Sequence, residues 1–303
     1  MELSAIVAVQ VIIVFILIAV GFILKKSKML DESGSKQLTN ILLMIVTPCV
    51  LISSYQREFI PEHAMNLLAA ALFTVLIHIV MIVISTIIYR PEETKRYRIN
   101  IFSAVYSNCG FMAIPLLTAV LGADGVFYGA SYLAIFNICY WTHGVYLYTG
   151  DRKSLSLKKA FLNPGVIGTL LSLALFFCRI TLPDILLSPV EYLAGLNTPL
   201  AMIVLGAYLA DINLLKTLKK LSIYTVSLLR LIVFPIIAIL LAKIMHLDET
   251  VATAVLISAA CPTATVTTLF AAKFGLDAGY ASEIVSFTTV LSVITIPLIM
   301  LLV

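Results

Sequence analysis

The chain has 303 residues, of which 61% are hydrophobic and 12% charged, whereas a soluble domain carries about 25% charged residues. The formal net charge of +4 is spread over short polar connections, so it bears on orientation in a membrane and excludes a nucleic-acid-binding surface. No polar stretch is long enough to form a nucleotide-binding domain, which excludes a primary pump. Without an H-E-x-x-H or G-x-S-x-G pattern, an intramembrane enzyme is not expected either.

In chain order, the first apolar run, Leu3 to Leu24, is preceded only by Glu2 and followed by Lys25, Lys26 and Lys28. A cleavable signal has positive charge ahead of its apolar stretch, so this run is read as a permanent span. Apolar runs of bilayer length, roughly 20 residues each, then recur to the end. Ten spans are expected at about 4–25, 36–55, 63–89, 98–122, 125–148, 163–182, 189–210, 221–245, 249–273 and 278–302. The expected fold class is an all-α polytopic membrane protein with the lipid bilayer as its solvent. The connections include GADG at 122–125, TGDRKSLSLKK at 149–159, PDILLSP at 183–189 and KFGLD at 273–277.

Lysine and arginine crowd one side. Sixteen follow odd-numbered spans, three (Arg57, Arg179, Lys243) follow even-numbered spans, and Arg230 lies within span 8. The positive-inside rule then puts the odd-to-even connections in the cytoplasm and both termini outside. The five cysteines stand singly in apolar segments and read as small buried hydrophobes, not as a disulfide framework or metal site.

A shift of 151 residues brings Thr47-Pro48 onto Thr198-Pro199, Ser107 onto Ser258 and Phe136 onto Phe287. Five spans then fall in each half, 1–150 and 151–303. An odd number inverts the second half, as in the inverted repeats of secondary transporters. Spans 4 and 9 occupy matching places, and both are interrupted. Span 4 carries Asn108, Gly110 and Pro115, and span 9 carries Pro262 among Ser258, Thr263 and Thr265. Proline removes a donor and obstructs the carbonyl four residues earlier. Irregular backbone at membrane depth survives only where protein, water or a ligand satisfies it. Two such breaks predict a shared polar pocket near the midplane, with helix N-termini suited to an anion. Asn108 adds an uncharged amide, and Cys109 lies beside it.

The segments SNCGFMAIPLL at 107–117, FLNPGVIG at 161–168 and AACPTATVTTLFAAKFGLDAGYASEIVSFTTVLSVITIPLIM at 259–300 resemble the auxin efflux carrier family, the bacterial relatives of plant PIN-formed transporters. That resemblance implies a ten-helix fold related to bile-acid and sodium/proton transporters. In it, broken helices 4 and 9 cross in an X at prolines that match Pro115 and Pro262. A transport core of spans 3–5 and 8–10 moves against a scaffold of spans 1, 2, 6 and 7. The family's carboxylate-contacting asparagine corresponds to Asn108. The short central connection suits a prokaryotic member of the inner membrane, with malate- or malonate-like carboxylates as well as auxin-like ones as substrates.

Other polar groups are weighed by depth. Arg230, His78 and His143 lie inside spans and are candidates for charge balance or proton coupling. Glu283, one turn into span 10, is a weaker one, more suited to a cap or surface role. Asn137 and Thr288 coincide under the 151-residue shift and are candidate pocket residues. Ser282, Ser286 and Thr289 share one helix face, open either to substrate or to interhelical hydrogen bonding. The expected function is secondary transport of a small organic anion by alternating access, without a cofactor or metal, and with coupling to H+ or Na+ and homodimer formation left open. The alternative is a cation/proton antiporter on the same fold, which needs a buried carboxylate near the crossover; span 5, Val126 to Tyr148, contains none.

Overall fold

The computed structural model describes residues 3–151, 161–162, 164–210 and 220–302. Helices account for nearly all of them, in the order α1 Leu3–Lys26, α2 Glu32–Tyr55, α3 Pro61–Ile88, α4 Arg96–Val105, α5 Cys109–Thr149, α6 Pro164–Phe177, α7 Asp184–Ala210, α8 Leu221–Ile244, α9 Glu249–Ala260, α10 Val266–Lys273 and α11 Ala278–Met300. Seven of these (α1, α2, α3, α5, α7, α8 and α11) are long and apolar enough to cross a membrane. The outward faces are those of a lipid-facing surface, with Ile16 59% exposed, Ile87 69% and Ile244 71%, far more apolar surface than a water-soluble monomer presents. The connections 152–160 and 211–219, which hold much of the expected cytoplasmic positive charge, and Asn163 lie outside the described residues.

Local chemistry sets the helix ends. Asp31, Asp248 and Asp277 are N-caps whose carboxylates accept from amides two or three residues on, each supplying an acceptor to an otherwise unpaired donor. Pro61 opens α3, where its missing N–H costs nothing. Three prolines interrupt helices without breaking them. Pro48, Pro115 and Pro235 each follow a five-residue π turn (Leu42–Val46, Cys109–Ala113 and Leu229–Val233) by two residues. Each proline's obstructed carbonyl lies in that turn, so local widening accommodates the ring.

Two expected connections differ. GADG is reduced to a reversal at one residue, Gly122 (φ 64°, ψ −144°), with helix resuming immediately after it. Twelve residues of straight helix span about 18 Å, yet a Cβ on Gly129 would fall 2.4 Å from the side chain of Leu117. The long α5 is therefore a hairpin of two limbs, one on each side of Gly122. PDILLSP is helical from Asp184 onward. Pro189 falls in the second turn, where few helical donors precede it, and the chain kinks instead around Leu196.

Two helix pairs are drawn together by glycine. α1 packs most extensively on the second part of α7, where a Cβ on Gly21 would lie 2.1 Å from the Ile203 carbonyl oxygen and one on Gly206 would lie 2.0 Å from that of Ile18. α2 packs on α6, with Gly168 against the backbone of Pro48. α9 packs against α5, which also contacts α3. At the N-terminal end of α11, the Arg96 guanidinium meets the Asp277 carboxylate at 2.8 Å.

Candidate functional site

α4 stops at Val105 and α9 stops at Ala260, both deep in the protein. The backbone that follows each is extended, and the two stretches meet as an antiparallel bridge between Ser107 and Thr263. The Asn108 amide donates to the Pro262 carbonyl at 2.7 Å, and the Ala264 amide donates to the Tyr106 carbonyl at 2.9 Å. A two-residue piece of sheet thus ties the broken helices together.

The last carbonyls of a helix lack intrahelical donors, and each one left bare at membrane depth costs several kcal/mol. In α4 all of them are satisfied. Phe102 accepts from the Tyr106 amide at 2.9 Å, and Ser103 accepts from Thr263 Oγ1 at 2.9 Å. Ala104 and Val105 accept from Arg230 Nη1 at 3.1 and 2.8 Å. Arg230 Nη2 reaches across to the Ala259 carbonyl of α9. The Thr263 amide donates to Thr288 Oγ1 at 3.2 Å. The break after α4 is stable because the protein supplies every donor that the missing turn would have supplied.

Beyond the bridge the chain re-enters helix twice, at Cys109 and at Val266, and neither start has a side-chain cap. The amides of Cys109, Gly110, Phe111 and Val266 lack an intrahelical acceptor, whereas those of Thr267 and Thr268 donate to the Ala264 and Thr265 carbonyls at 3.1 and 3.2 Å. Both starts line one cavity of about 390 Å³, through Ser107, Asn108 and Gly110 on one side and Ala264, Thr265 and Val266 on the other. The remaining wall comes from α2 (Thr39, Thr47), the long limb of α5 (Leu133, Phe136, Asn137), the start of α6 (Pro164), α7 (Leu205, Tyr208) and α11 (Ser282, Ser286). Asn108 is 2% exposed, and its Nδ2 has no partner. Thr47 Oγ1 and Ser286 Oγ are likewise buried without partners on the same wall. Among the described residues, none that lines the cavity is acidic or basic.

Of the residues singled out from sequence, Asn108, Gly110, Asn137, Thr265, Ser282 and Ser286 share this cavity. Cys109, Pro262, Thr263 and Thr288 stand behind its wall, the last three as parts of the bridge or its anchor. Asn137 Nδ2 donates to the Leu133 carbonyl at 2.7 Å. Pro115 is not at the crossing, which lies at Ser107 and Thr263, because the π turn before Pro115 absorbs the ring within continuous helix.

Arg230 is fully buried beneath the bridge and does not face the cavity. His78 Nδ1 donates to the Thr74 carbonyl at 2.9 Å, and its ring lies 5.0 Å from that of Tyr132, whose hydroxyl accepts from Ser107 Oγ at 3.2 Å. His143 Nδ1 lies 2.9 Å from the Tyr106 hydroxyl, which donates to the Cys139 carbonyl. Glu283 pairs with Lys220 at 2.5 Å, away from the cavity.

The cavity contributions of Thr39, Thr47 and Tyr208 were missed. The recurring Thr-Pro of spans 2 and 7 was the available signal for Thr47, while the i, i+4 spacing did single out Ser282 and Ser286.

The sequence profile of the family described as Membrane transport protein matches residues 6–157 and 152–300. An uncharacterized transporter of Methanocaldococcus jannaschii is 24% identical over 302 residues, covering 95% of this chain and 96% of that protein. A second, from Methanothermobacter thermautotrophicus, is 24% identical over 297 residues, covering 95% of each.

Proposed function

We propose, from the premise that this chain belongs to the membrane transport protein family that includes the auxin efflux carriers, that it carries a small organic anion by alternating access. The observation that carries this reading is the opening of two helix N-termini into one cavity beside the unpartnered side-chain amide of Asn108. Helix N-termini favour negative charge, through their free N–H groups and the macrodipole. The lining, free of acidic residues among those described, supports the same sign and speaks against the cation/proton antiporter. About 390 Å³ is at the lower end for small-molecule sites. The wall is mostly aliphatic and aromatic apart from the crossover, which suits an anion with one carboxylate better than one charged at both ends.

The chain is a multi-pass membrane protein. The finer architecture is part of the proposal: ten spans in two inverted halves, with both termini outside the inner membrane. The reversal at Gly122 supports two crossings within α5, and the α1–α7 and α2–α6 contacts support two-fold pseudosymmetry. The bridge pairs Ser107 with Thr263, five residues beyond the Ser258 of the 151-residue register, so that register slips at the breaks. The cavity has walls from α2, α6 and α7 on one side and from α5, α10 and α11 on the other. Movement of α3–α5 and α8–α11 against α1, α2, α6 and α7 would open it alternately to each side.

Uptake of labelled mono- and dicarboxylates into proteoliposomes, with sodium and pH varied, tests the proposal. A hydrogen bond to a charged group contributes about 1.5–3 kcal/mol, so Asn108→Ala should raise KM roughly ten- to a hundredfold. Unchanged uptake would remove Asn108 from the site. Transport of cations alone would overturn the anion reading.

A further inference from the structure

Arg230 is the largest fully buried side chain among the described residues. None of the ion pairs among those residues includes it. Its ligands are main-chain oxygens at the C-terminal ends of two different half-helices, Ala104 and Val105 on α4 and Ala259 on α9, with Met81 Sδ at 3.6 Å. Ser107 Oγ, on the cavity wall, donates to the Tyr132 hydroxyl at 3.2 Å.

A buried cation without a counter-anion is costly, and apolar residues of similar volume often replace buried ions at no loss. Retention of a guanidinium here therefore calls for an electrostatic reason. The reason lies in the two dipoles. α4 and α9 both end at this point, and each presents the negative end of its dipole and its unpaired carbonyls. In broken-helix transporters such ends are where a coupling cation is coordinated.

We infer that Arg230 is a tethered cation that neutralises the converging C-termini of α4 and α9 and positions the crossover so that the electropositive N-termini of α5 and α10 face the cavity. Its planar fork reaches both helices at once, which an ammonium cannot do. Arg230 is a positioning residue; the consequence for transport rests on the anion reading above, whereas the cation site itself does not.

The test keeps the two apart. In detergent, Arg230→Ala should melt below the wild type, and millimolar guanidinium should raise its Tm without moving that of the wild type. A wild-type Tm for Arg230→Ala, or no selective response to guanidinium, overturns the inference. If Arg230→Ala is not recovered folded, Arg230→Lys and Arg230→Met decide. The lysine variant should be recovered and melt higher; any other order means that volume matters and not charge. In proteoliposomes, guanidinium should also restore carboxylate uptake to Arg230→Ala. Restored Tm in a protein whose wild type moves no carboxylate would sink the substrate reading while leaving the cation site standing.

Discussion

The crossing of α1 and α7 makes a quantitative demand. A Cβ added at Gly206 would lie 2.0 Å from the Ile18 carbonyl oxygen and 2.8 Å from the Phe22 nitrogen. Carbon and carbonyl oxygen in contact sit about 3.3 Å apart, so Gly206→Ala must push the helices apart by about 1 Å. Both obstructing atoms are main chain, and no rotamer change can relieve them. Overpacking of this kind costs about 1–3 kcal/mol, which for a chain of this size lowers Tm by about 2–6 °C. Gly195, in the same α7, provides the control. Nothing lies within 4 Å of its added Cβ, so Gly195→Ala should be neutral or stabilise by up to about 1 kcal/mol through helix propensity. Thermal melts followed by a thiol-reactive dye would read the loss of burial at Cys109 and Cys261 over the exposed Cys178 baseline. Gly21→Ala meets the Ile203 carbonyl oxygen at 2.1 Å and is relieved by the same separation. The Gly21→Ala/Gly206→Ala double variant should therefore lose less than the sum of the singles. Gly206→Ala melting at or above wild type, or Gly195→Ala falling equally far, would refute the close-approach argument.

Further outcomes follow from the bridge and from the end of α11. Thr263→Val keeps the side-chain shape but leaves the Ser103 carbonyl without its donor, a loss of about 1–3 kcal/mol. Thr263→Ser keeps the donor, so melting should rank wild type, then serine, then valine; a valine variant as stable as serine would count against the accounting of carbonyls. Burial pushes the Asp277 carboxyl up, but the Tyr280 amide and the Arg96 guanidinium outweigh it, and the net position is below the ordinary value. Its contribution is present above the unfolded carboxylate pKa of about 4 and is lost as pH falls through the lower folded value. Tm of the wild type should therefore fall faster than that of Asp277→Asn between about pH 5 and 3, and parallel pH profiles would show the pair to be inert.

Much of this protein is legible one residue at a time. Hydropathy alone requires a helical, membrane-embedded chain, since apolar runs of bilayer length can satisfy their backbone in lipid only as helices or closed barrels. The interruptions near Asn108 and Pro262 could also be located, because glycine, proline and asparagine weaken helices by local chemistry. Their consequences could not. Which residues cross is a matter of two chain segments meeting, and the pairing of Ser107 with Thr263 spans 156 positions. Pro115, at which the family resemblance put the crossing, lies in continuous helix just after a π turn. Arg230 reads from sequence as a cation inside span 8 and a candidate for charge balance, with no partner named. Only the tertiary structure brings the ends of α4 and α9 to the reach of its guanidinium, since dipoles from distant segments add at a point only when folding has aimed them there.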